Sequence, residues 1–211
     1  MINVLFVCHA NKSRSPMAEG IFKKLINDSG ISNDFTVESR AVSSEAIGSS
    51  PHPETIKRLE FLGIPWEDMI SEKINQLDYR HFDFIICMDD QNEKYLKKHA
   101  GIYRDKVYLV RDINHQTKKQ NIPDPYYTLD YDETFNLLME SLAEWVTMFK
   151  LHKLSKMIDL EAYRITNQPL FLSNPSWYTW DTEEKKYVLN HEASFDAVAS
   201  YKEFYKEEDE N

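Results

Sequence analysis

A cysteine and an arginine with five residues between them form the most reactive pattern in the sequence. Cys8 opens the stretch Cys-His-Ala-Asn-Lys-Ser-Arg-Ser, and Arg14 lies near its end. The planar guanidinium of an arginine presents a fork of N–H groups that matches two oxygens of a phosphate. A thiol beside such a group should react as the thiolate, which is a nucleophile. The pattern therefore predicts a site where a cysteine attacks a phosphate-like anion.

Two predicted elements hold this stretch. Residues 2–7 are apolar enough for one buried parallel strand, and apolar residues after Pro16 recur at helical spacing. Ser15 is a favoured N-cap type, and Pro16 fits the first helical turn. A loop from the end of a strand to the start of a helix presents unpaired N–H groups and the positive end of the helix dipole, so it attracts anions. We predict that residues 8–15 form a phosphate-binding loop.

The other residues of this loop suit the same site. The Ser15 hydroxyl can donate a hydrogen bond to the Cys8 sulfur, and Asn11 tolerates the left-handed backbone that a tight cradle needs. The alternative interpretation is an ordinary buried cysteine followed by a solvent-exposed arginine. The residues predicted to bind phosphate are His9, Ala10, Asn11, Lys12, Ser13 and Arg14.

A second candidate catalytic group lies far downstream. Residues 111–130 form a long polar connection without a predicted element, and connections of this length are often functional. Within it, Asp124 lies between two prolines and precedes Tyr126 and Tyr127. A carboxylic acid held over a phosphoester can protonate the departing oxygen. Asp-Pro is also a common turn former, so the catalytic interpretation depends on the loop at 8–15.

Strand and helix patterns alternate along the first 150 residues. This alternation predicts an α/β fold, a four-stranded parallel, doubly wound sheet with helices on both faces. Cys87 lies in an apolar strand and is predicted to be a core residue. The predicted strands cover residues 2–7, 35–42, 82–88 and 106–110. Four helices are predicted. The first follows Pro16, the second covers residues 53–62, and the third ends near Lys98. The fourth is long and buries a stripe of Phe135, Leu138, Met139, Leu142, Trp145, Val146 and Phe149.

The composition limits the function classes. A length of 211 residues fits one domain with an appendage, and no stretch is long and apolar enough for a membrane span. The net charge of −10 opposes binding to nucleic acid or to an anionic membrane surface. Two cysteines and the lack of a signal-peptide pattern indicate a cytoplasmic protein in a reducing compartment. Against the acidic background, the loop at 8–15 is a small cationic spot.

Taken together, these motifs resemble the low-molecular-weight protein tyrosine phosphatase family over about residues 1–150. The similar segments are the first strand with Cys-x5-Arg-Ser-Pro-Met-Ala-Glu, then Met88-Asp89-x-x-Asn92, then Asp124-Pro125-Tyr126-Tyr127. The resemblance implies a flavodoxin-like sheet of order 2-1-3-4 with the site at the carboxyl ends of the strands. It also implies hydrolysis of phosphotyrosine in proteins, or of small phosphomonoesters, through a phospho-cysteine and without a metal or other cofactor.

The resemblance assigns a role to each candidate residue. Cys8 would attack phosphorus in line, while Arg14 and the loop amides bind the equatorial oxygens. Asp124 would protonate the leaving group and then activate the hydrolytic water. Ser15 would assist the sulfur, and Asn11 would hold the shape of the loop. Tyr126 and Tyr127 would flank the mouth of the pocket.

The chain departs from the family pattern in ways that keep alternatives open. Ser13 stands where a second cysteine usually provides a protective disulfide, so we expect peroxide to inactivate the protein irreversibly. Ala10 replaces a glycine, and Glu72 stands near the usual place of a histidine that supports the asparagine. Lys12 replaces an isoleucine or threonine that tunes tyrosine phosphate against arginine phosphate. A non-catalytic phosphate-binding or docking protein is one alternative. An arginine phosphatase and an arsenate reductase on the same fold are two others, although arsenate reduction needs more cysteines than Cys87.

Residues 151–211 lie beyond the resemblance and are predicted to form a small α+β extension. The pattern indicates a continuation of the last helix over 151–165, a hairpin over 177–189 and an amphipathic helix over 192–207. The many aromatic residues suit packing, and the extension could instead present a face to a protein partner.

Overall fold

A four-stranded parallel sheet forms the centre of the molecule. The computed structural model describes residues 1–114 and 116–155, together with the backbone of two further short strands. The sheet has the order β2-β1-β3-β4, which confirms the fold class and the strand order expected from the sequence. Its strands are β1 (Ile2–Cys8), β2 (Phe35–Ala41), β3 (Phe84–Cys87) and β4 (Val107–Leu109).

Within the described residues, six α-helices connect or follow the strands. Because consecutive parallel strands need a crossover, most of the helices lie between strands and cover the sheet. They are α1 (Arg14–Asp28), α2 (Pro53–Phe61), α3 (Gln76–His81), α4 (Asp90–His99), α5 (Pro125–Thr128) and α6 (Tyr131–Ser155).

The sheet separates two apolar layers. Alternate residues of β1 enter opposite layers: Phe6 and Cys8 pack with α1 and α6, whereas Val7 packs with α4. Cys87 pairs with Val7 across the sheet and belongs to the same layer as Val7. Cys87 is therefore the core residue that the sequence predicts, and it lies on the opposite face of the sheet from Cys8.

The aromatic stripe of α6 closes the first of these layers. Trp145 and Phe149 are fully buried, and the ring of Phe149 meets Phe84 edge-on at 4.9 Å. The indole N–H of Trp145 donates to the Val110 carbonyl at 2.8 Å, so its one polar atom is satisfied. The stripe holds α6 against the sheet and sets the position of the connection that precedes it.

Helix α1 begins differently from the sequence expectation. The prediction of Ser15 as the N-cap is wrong, because the helix starts at Arg14 and Ser13 occupies the cap position without a side-chain hydrogen bond. Ser15 lies inside the first turn, which turns its hydroxyl towards Cys8. The shift of two residues therefore moves Ser15 from a capping role into the site.

The structure also corrects two of the connections. Residues 111–130 are not free of structure, since a 3₁₀ turn over Val110–Ile113 and the short helix α5 lie there. Helix α3 was not predicted, and β3 begins at Phe84 rather than at residue 82 because the chain leaves α3 at Phe82. All of these segments are at most six residues long, which is too short for apolar periodicity to reveal.

The C-terminal extension is described only in part. Strands β5 (Tyr178–Asp181) and β6 (Lys186–Leu189) pair with each other in antiparallel fashion. The predicted continuation of α6 beyond Ser155 and the predicted helix over 192–207 lie outside the described residues. None of the described helices has the length and apolar character that crossing a bilayer demands.

A buried carboxyl group on α6 makes stability depend on pH. Glu144 is 6% exposed, and its Oε1 accepts a hydrogen bond from the Asn114 side chain at 2.9 Å. Burial raises the pKa of Glu144 to about 7, because it outweighs the hydrogen bond from Asn114, which by itself would lower the pKa. The folded state therefore keeps a proton that the unfolded chain releases near pH 4.5, so stability falls as pH rises from there to about 7.

We predict that Glu144→Gln relieves this penalty. Relative to the unsubstituted protein, the variant should gain about 3 kcal/mol of unfolding free energy between pH 4.5 and pH 8, since one pKa unit corresponds to about 1.4 kcal/mol. Urea unfolding of both proteins at several pH values measures the difference. The same change of unfolding free energy with pH in both proteins over this range would contradict the prediction.

Candidate active site

The loop from Cys8 to Arg14 lies at the carboxyl edge of the sheet. Its backbone reverses at Asn11, where φ is 54°. The Ala10 carbonyl accepts from the Ser71 hydroxyl at 2.9 Å, and the Lys12 carbonyl accepts from the His52 amide at 2.8 Å. No backbone N–H group of residues 9–13 donates a hydrogen bond to any described residue. The loop thus turns its carbonyls to neighbouring segments and leaves its amides available to an anion.

The side chain of Asn11 braces this left-handed turn. Its Nδ2 donates to the hydroxyls of Ser15 at 2.9 Å and of Ser39 at 2.8 Å, and its Oδ1 accepts from the Glu72 amide at 3.2 Å. Residue 72 therefore supports Asn11 through its backbone, which any residue type provides. Because Asn11 is buried, these three bonds also meet its hydrogen-bonding needs.

Ser15 connects Asn11 to the cysteine. Its hydroxyl oxygen accepts from Asn11, and its own proton points towards the Cys8 Sγ at 3.0 Å, with the Arg40 carbonyl as a second acceptor at 3.3 Å. Both Cys8 and Ser15 are buried. The hydrogen bond predicted from the residue types is therefore present, and it favours negative charge on the sulfur.

The Arg14 guanidinium is buried between two carboxylates. Nη1 lies 2.5 Å from Asp89 Oδ2, and Nη2 lies 2.5 Å from Asp124 Oδ2. Nη1 also donates to the Ile122 carbonyl at 3.2 Å. A buried charge needs such partners, because an unpaired one would pay the full cost of lost hydration.

The electrostatics of Arg14 follow from these contacts. Burial alone would lower the pKa of Arg14, but the Cys8 sulfur and the carboxylates of Asp124 and Asp89 outweigh it and raise the pKa above its ordinary value. The guanidinium is thus permanently charged, and its positive charge acts on the sulfur, on both carboxylates and on any anion in the loop.

Asp124 reaches the loop from a distance of 110 residues in the sequence. It is the N-cap of α5, and its Oδ1 accepts from the Tyr126 amide at 3.1 Å while Oδ2 contacts Arg14. Its side chain is 22% exposed, so water or substrate can reach the carboxyl group. The structure therefore brings Cys8, Arg14 and Asp124 together, as the sequence hypothesis requires.

Asp89 is a residue of the site that the sequence argument did not select. It is the N-cap of α4, where Oδ1 accepts from the Asn92 amide at 2.7 Å and Oδ2 pairs with Arg14. The sequence did contain a clue, since an acidic N-cap type directly follows the third strand and must lie at the same edge of the sheet as Cys8.

The remaining predicted residues lie around the loop. The His9 ring contacts the Glu45 carboxylate at 3.1 Å, and both side chains are exposed. Lys12 is half-buried and forms no ion pair with the described residues. The rings of Tyr126 and Tyr127 are largely exposed and perpendicular to each other, with centroids 5.1 Å apart. In the described part of the chain, no cluster of three acidic, histidine or cysteine side chains is arranged to hold a metal ion.

The chain is similar to a known group of phosphatases. The family model for low molecular weight phosphotyrosine protein phosphatase matches residues 3–157. The low molecular weight protein-tyrosine-phosphatase YfkJ of Bacillus subtilis is 35% identical over 155 residues, which are 72% of this chain and 99% of the relative. PtpA of Staphylococcus aureus is 33% identical over 141 residues, 67% of this chain and 89% of the relative.

Solved structures share the fold. The crystal structure of YfkJ superposes with a TM-score of 0.69 at 32% identity and covers 72% of this chain and 97% of its own. The crystal structure of SP-PTP, a low molecular weight protein tyrosine phosphatase from Streptococcus pyogenes, superposes with a TM-score of 0.61 at 33% identity. The match covers 77% of this chain and 97% of SP-PTP. The chain therefore belongs to the low molecular weight phosphotyrosine protein phosphatase family and is a phosphoric monoester hydrolase.

Proposed function

We propose that this protein hydrolyses phosphotyrosine in proteins through a phospho-cysteine formed on Cys8. The observation that carries the proposal is the position of Arg14, whose buried guanidinium acts on the Cys8 sulfur and also contacts Asp124 at 2.5 Å. A nucleophile, an anion-binding group and a proton donor are thus joined at one loop. The relatives named above are protein-tyrosine-phosphatases, which supports tyrosine phosphate as the substrate.

Binding of the phosphate uses the loop and Arg14. The free amides of residues 9–13 and the start of α1 favour an anion, and the guanidinium offers two N–H groups to its equatorial oxygens. Arg14 is already oriented by Asp89, so little side-chain freedom is lost when substrate binds. The exposed rings of Tyr126 and Tyr127 stand at the mouth, where they suit an aryl group.

In the first step, the Cys8 thiolate attacks phosphorus as the phosphorus–oxygen bond to tyrosine breaks. Asp124, in its protonated form, gives its proton to the departing phenolic oxygen. Protonation removes the negative charge that holds Asp124 to Arg14, so Nη2 becomes available to a phosphate oxygen. Asp89 keeps its contact with Nη1 and continues to orient the guanidinium.

In the second step, water hydrolyses the phospho-cysteine. The Asp124 carboxylate accepts a proton from the water as a new phosphorus–oxygen bond forms and the sulfur–phosphorus bond breaks. The Ser15 hydroxyl stabilises the departing thiolate through its contact of 3.0 Å with Sγ. Phosphate leaves, and Cys8 and Asp124 return to their starting states.

The cellular setting and the extension belong to the same proposal. Both cysteines are free thiols, which suits the reducing cytoplasm. The part of residues 151–211 after residue 157 would serve as an additional contact for a protein substrate, since it lies beyond the segment that the family model matches.

We predict that Cys8→Ser abolishes the hydrolysis of para-nitrophenyl phosphate, because a serine hydroxyl at this position is not ionised. The loss should be at least about a thousandfold, the scale on which nucleophile removal acts. Cys87→Ala is the matched control: it removes the other thiol, on the opposite face of the sheet, and should retain turnover with some loss of stability. Turnover that survives in Cys8→Ser would refute the nucleophile assignment.

A comparison of Asp124→Asn with Asp89→Asn tests the assignment of the acid. Both variants remove one carboxylate from Arg14 at the same distance of 2.5 Å. If Asp124 is the proton donor, its variant should lose about a hundredfold or more in kcat/KM, which reports the first step, on phenyl phosphate but much less on substrates with acidic leaving groups. Asp89→Asn should mainly raise KM, equally for all leaving groups, because it orients Arg14. An identical leaving-group dependence in both variants would mean that Asp124 only balances charge.

The positions of the two cysteines predict the response to oxidation. Cys8 and Cys87 belong to opposite faces of the sheet, and residue 13 is a serine, so a disulfide within the described fold would require rearrangement of the sheet. Prolonged peroxide should therefore carry Cys8 beyond the sulfenic acid to irreversible states. Activity assays after dithiothreitol, with mass spectrometry, provide the test. Substantial recovery together with an intramolecular Cys8–Cys87 disulfide would contradict it.

A further inference from the structure

Leu129 combines two unfavourable features beside the proposed active site. Its φ is 58°, in the left-handed region that leucine rarely adopts, and its side chain is 81% exposed to solvent. Glycine or asparagine would relieve the backbone there, and a polar residue would suit the exposure. Strain of this kind is retained where the side chain has a use, and it is concentrated at functional sites.

The other positive-φ positions show how unusual this is. Among the described residues other than glycine, only Asn11, Lys119 and Leu129 have a positive φ. Asn11 tolerates the conformation and is braced on three sides, and Lys119 has a polar side chain in a surface turn. Leu129 is the apolar member of this group.

Helix α5 ties Leu129 to the proposed proton donor. The helix has only four residues, with Asp124 as its N-cap and Leu129 as its C-cap, and the Leu129 amide donates to the Pro125 carbonyl at 3.0 Å. Tyr126 and Tyr127 lie on the same turn and are 74% and 81% exposed. We call Tyr126, Tyr127 and Leu129 the α5 patch. A phosphotyrosine whose phosphoester meets Asp124 is brought next to this patch, because Asp124 caps the same four-residue helix.

A cleft beside the patch offers room for a side chain. It has a volume of about 720 Å³ and lies between Leu129 and the stacked rings of His52 and Tyr131, whose centroids are 4.9 Å apart. The His52 amide binds the Lys12 carbonyl, so the cleft adjoins the phosphate-binding loop. Three acidic residues, Glu54, Asp130 and Asp132, also line it and outnumber the one cation, Arg58, which pairs with two of them, so the cleft disfavours an acidic occupant.

We infer that Leu129 is a specificity residue for protein substrates. Its side chain contacts an apolar residue that neighbours the phosphotyrosine, and that residue enters the cleft beside the α5 patch. The inference rests on the proposed function, which supplies the phosphotyrosine. The apolar contact offsets the strain of the left-handed backbone only in the complex with substrate, which explains why an exposed leucine occupies this position.

The test uses the full-length protein and phosphotyrosyl peptides. In one peptide all neighbours of the phosphotyrosine are glycine, and in the others one neighbour at a time is leucine or aspartate. The unsubstituted protein should favour at least one leucine peptide over the glycine peptide by about tenfold in kcat/KM. Leu129→Asn should abolish that preference, and Leu129→Met, which keeps an apolar side chain, should retain it.

A matched variant separates specificity from backbone strain. Leu129→Asn and Lys119→Asn both relieve a left-handed residue, so each should raise the thermal midpoint by about 2 °C. Lys119→Asn should leave the leucine preference unchanged, since Lys119 lies outside the site. A merely structural role for Leu129 would lower kcat/KM for every peptide by the same factor.

Three results would overturn the inference. The first is an equal kcat/KM for the leucine and glycine peptides, and the second is a leucine preference that survives in Leu129→Asn. The third is an equal increase in kcat/KM for all peptides in that variant, which would indicate that residues 151–211 cover the patch. Failure of the unsubstituted protein to hydrolyse both para-nitrophenyl phosphate and every peptide would instead refute the proposed function.

Discussion

The arrangement of the loops at the carboxyl edge of the sheet depends on one buried charge, the guanidinium of Arg14. A cation with 3% exposure is stable there only because two carboxylates and a carbonyl replace its water. Those partners come from two connections, which follow β3 and β4, and Arg14 itself follows β1 along the same sheet edge. The requirement to neutralise Arg14 therefore also assembles the site, because it holds Asp89 and Asp124 against the start of α1.

A second constraint is the left-handed turn at Asn11. The loop can present its amides to an anion only if its backbone reverses there, and asparagine tolerates that conformation. Ser15, Ser39 and the Glu72 amide hold the asparagine side chain, so the usual histidine support is not required. The same hydrogen bonds orient Ser15 towards Cys8, which links the shape of the loop to the charge on the sulfur.

The elements around the site divide into buried and exposed parts. Cys8 and Arg14 belong to a buried strand and a packed helix, whose positions are set by the core. Asp124 caps a four-residue helix on which Tyr126 and Tyr127 are largely exposed. The cysteine and the arginine are therefore packed into the core, whereas the tyrosines beside Asp124 are open to solvent. Exposed connecting segments positioned by a rigid scaffold are where binding residues are concentrated in proteins.

The sequence by itself determined the fold class and the family, because long apolar patterns and the Cys-x5-Arg spacing are local and strong, and the strand order followed from the resemblance to that family. It identified Cys8, Arg14 and Asp124 as candidates, since each belongs to a short motif with its own chemistry. It did not reveal α3, α5 or the exact start of α1, because a few residues carry no apolar periodicity and helix ends differ by one or two residues at little cost. Only the tertiary structure decided that Asp89 shares Arg14 with Asp124, that residue 72 supports Asn11 through its backbone, and that Leu129 is strained and exposed. These facts depend on which loops meet at the sheet edge and on single backbone angles, and both are set by packing across the whole domain.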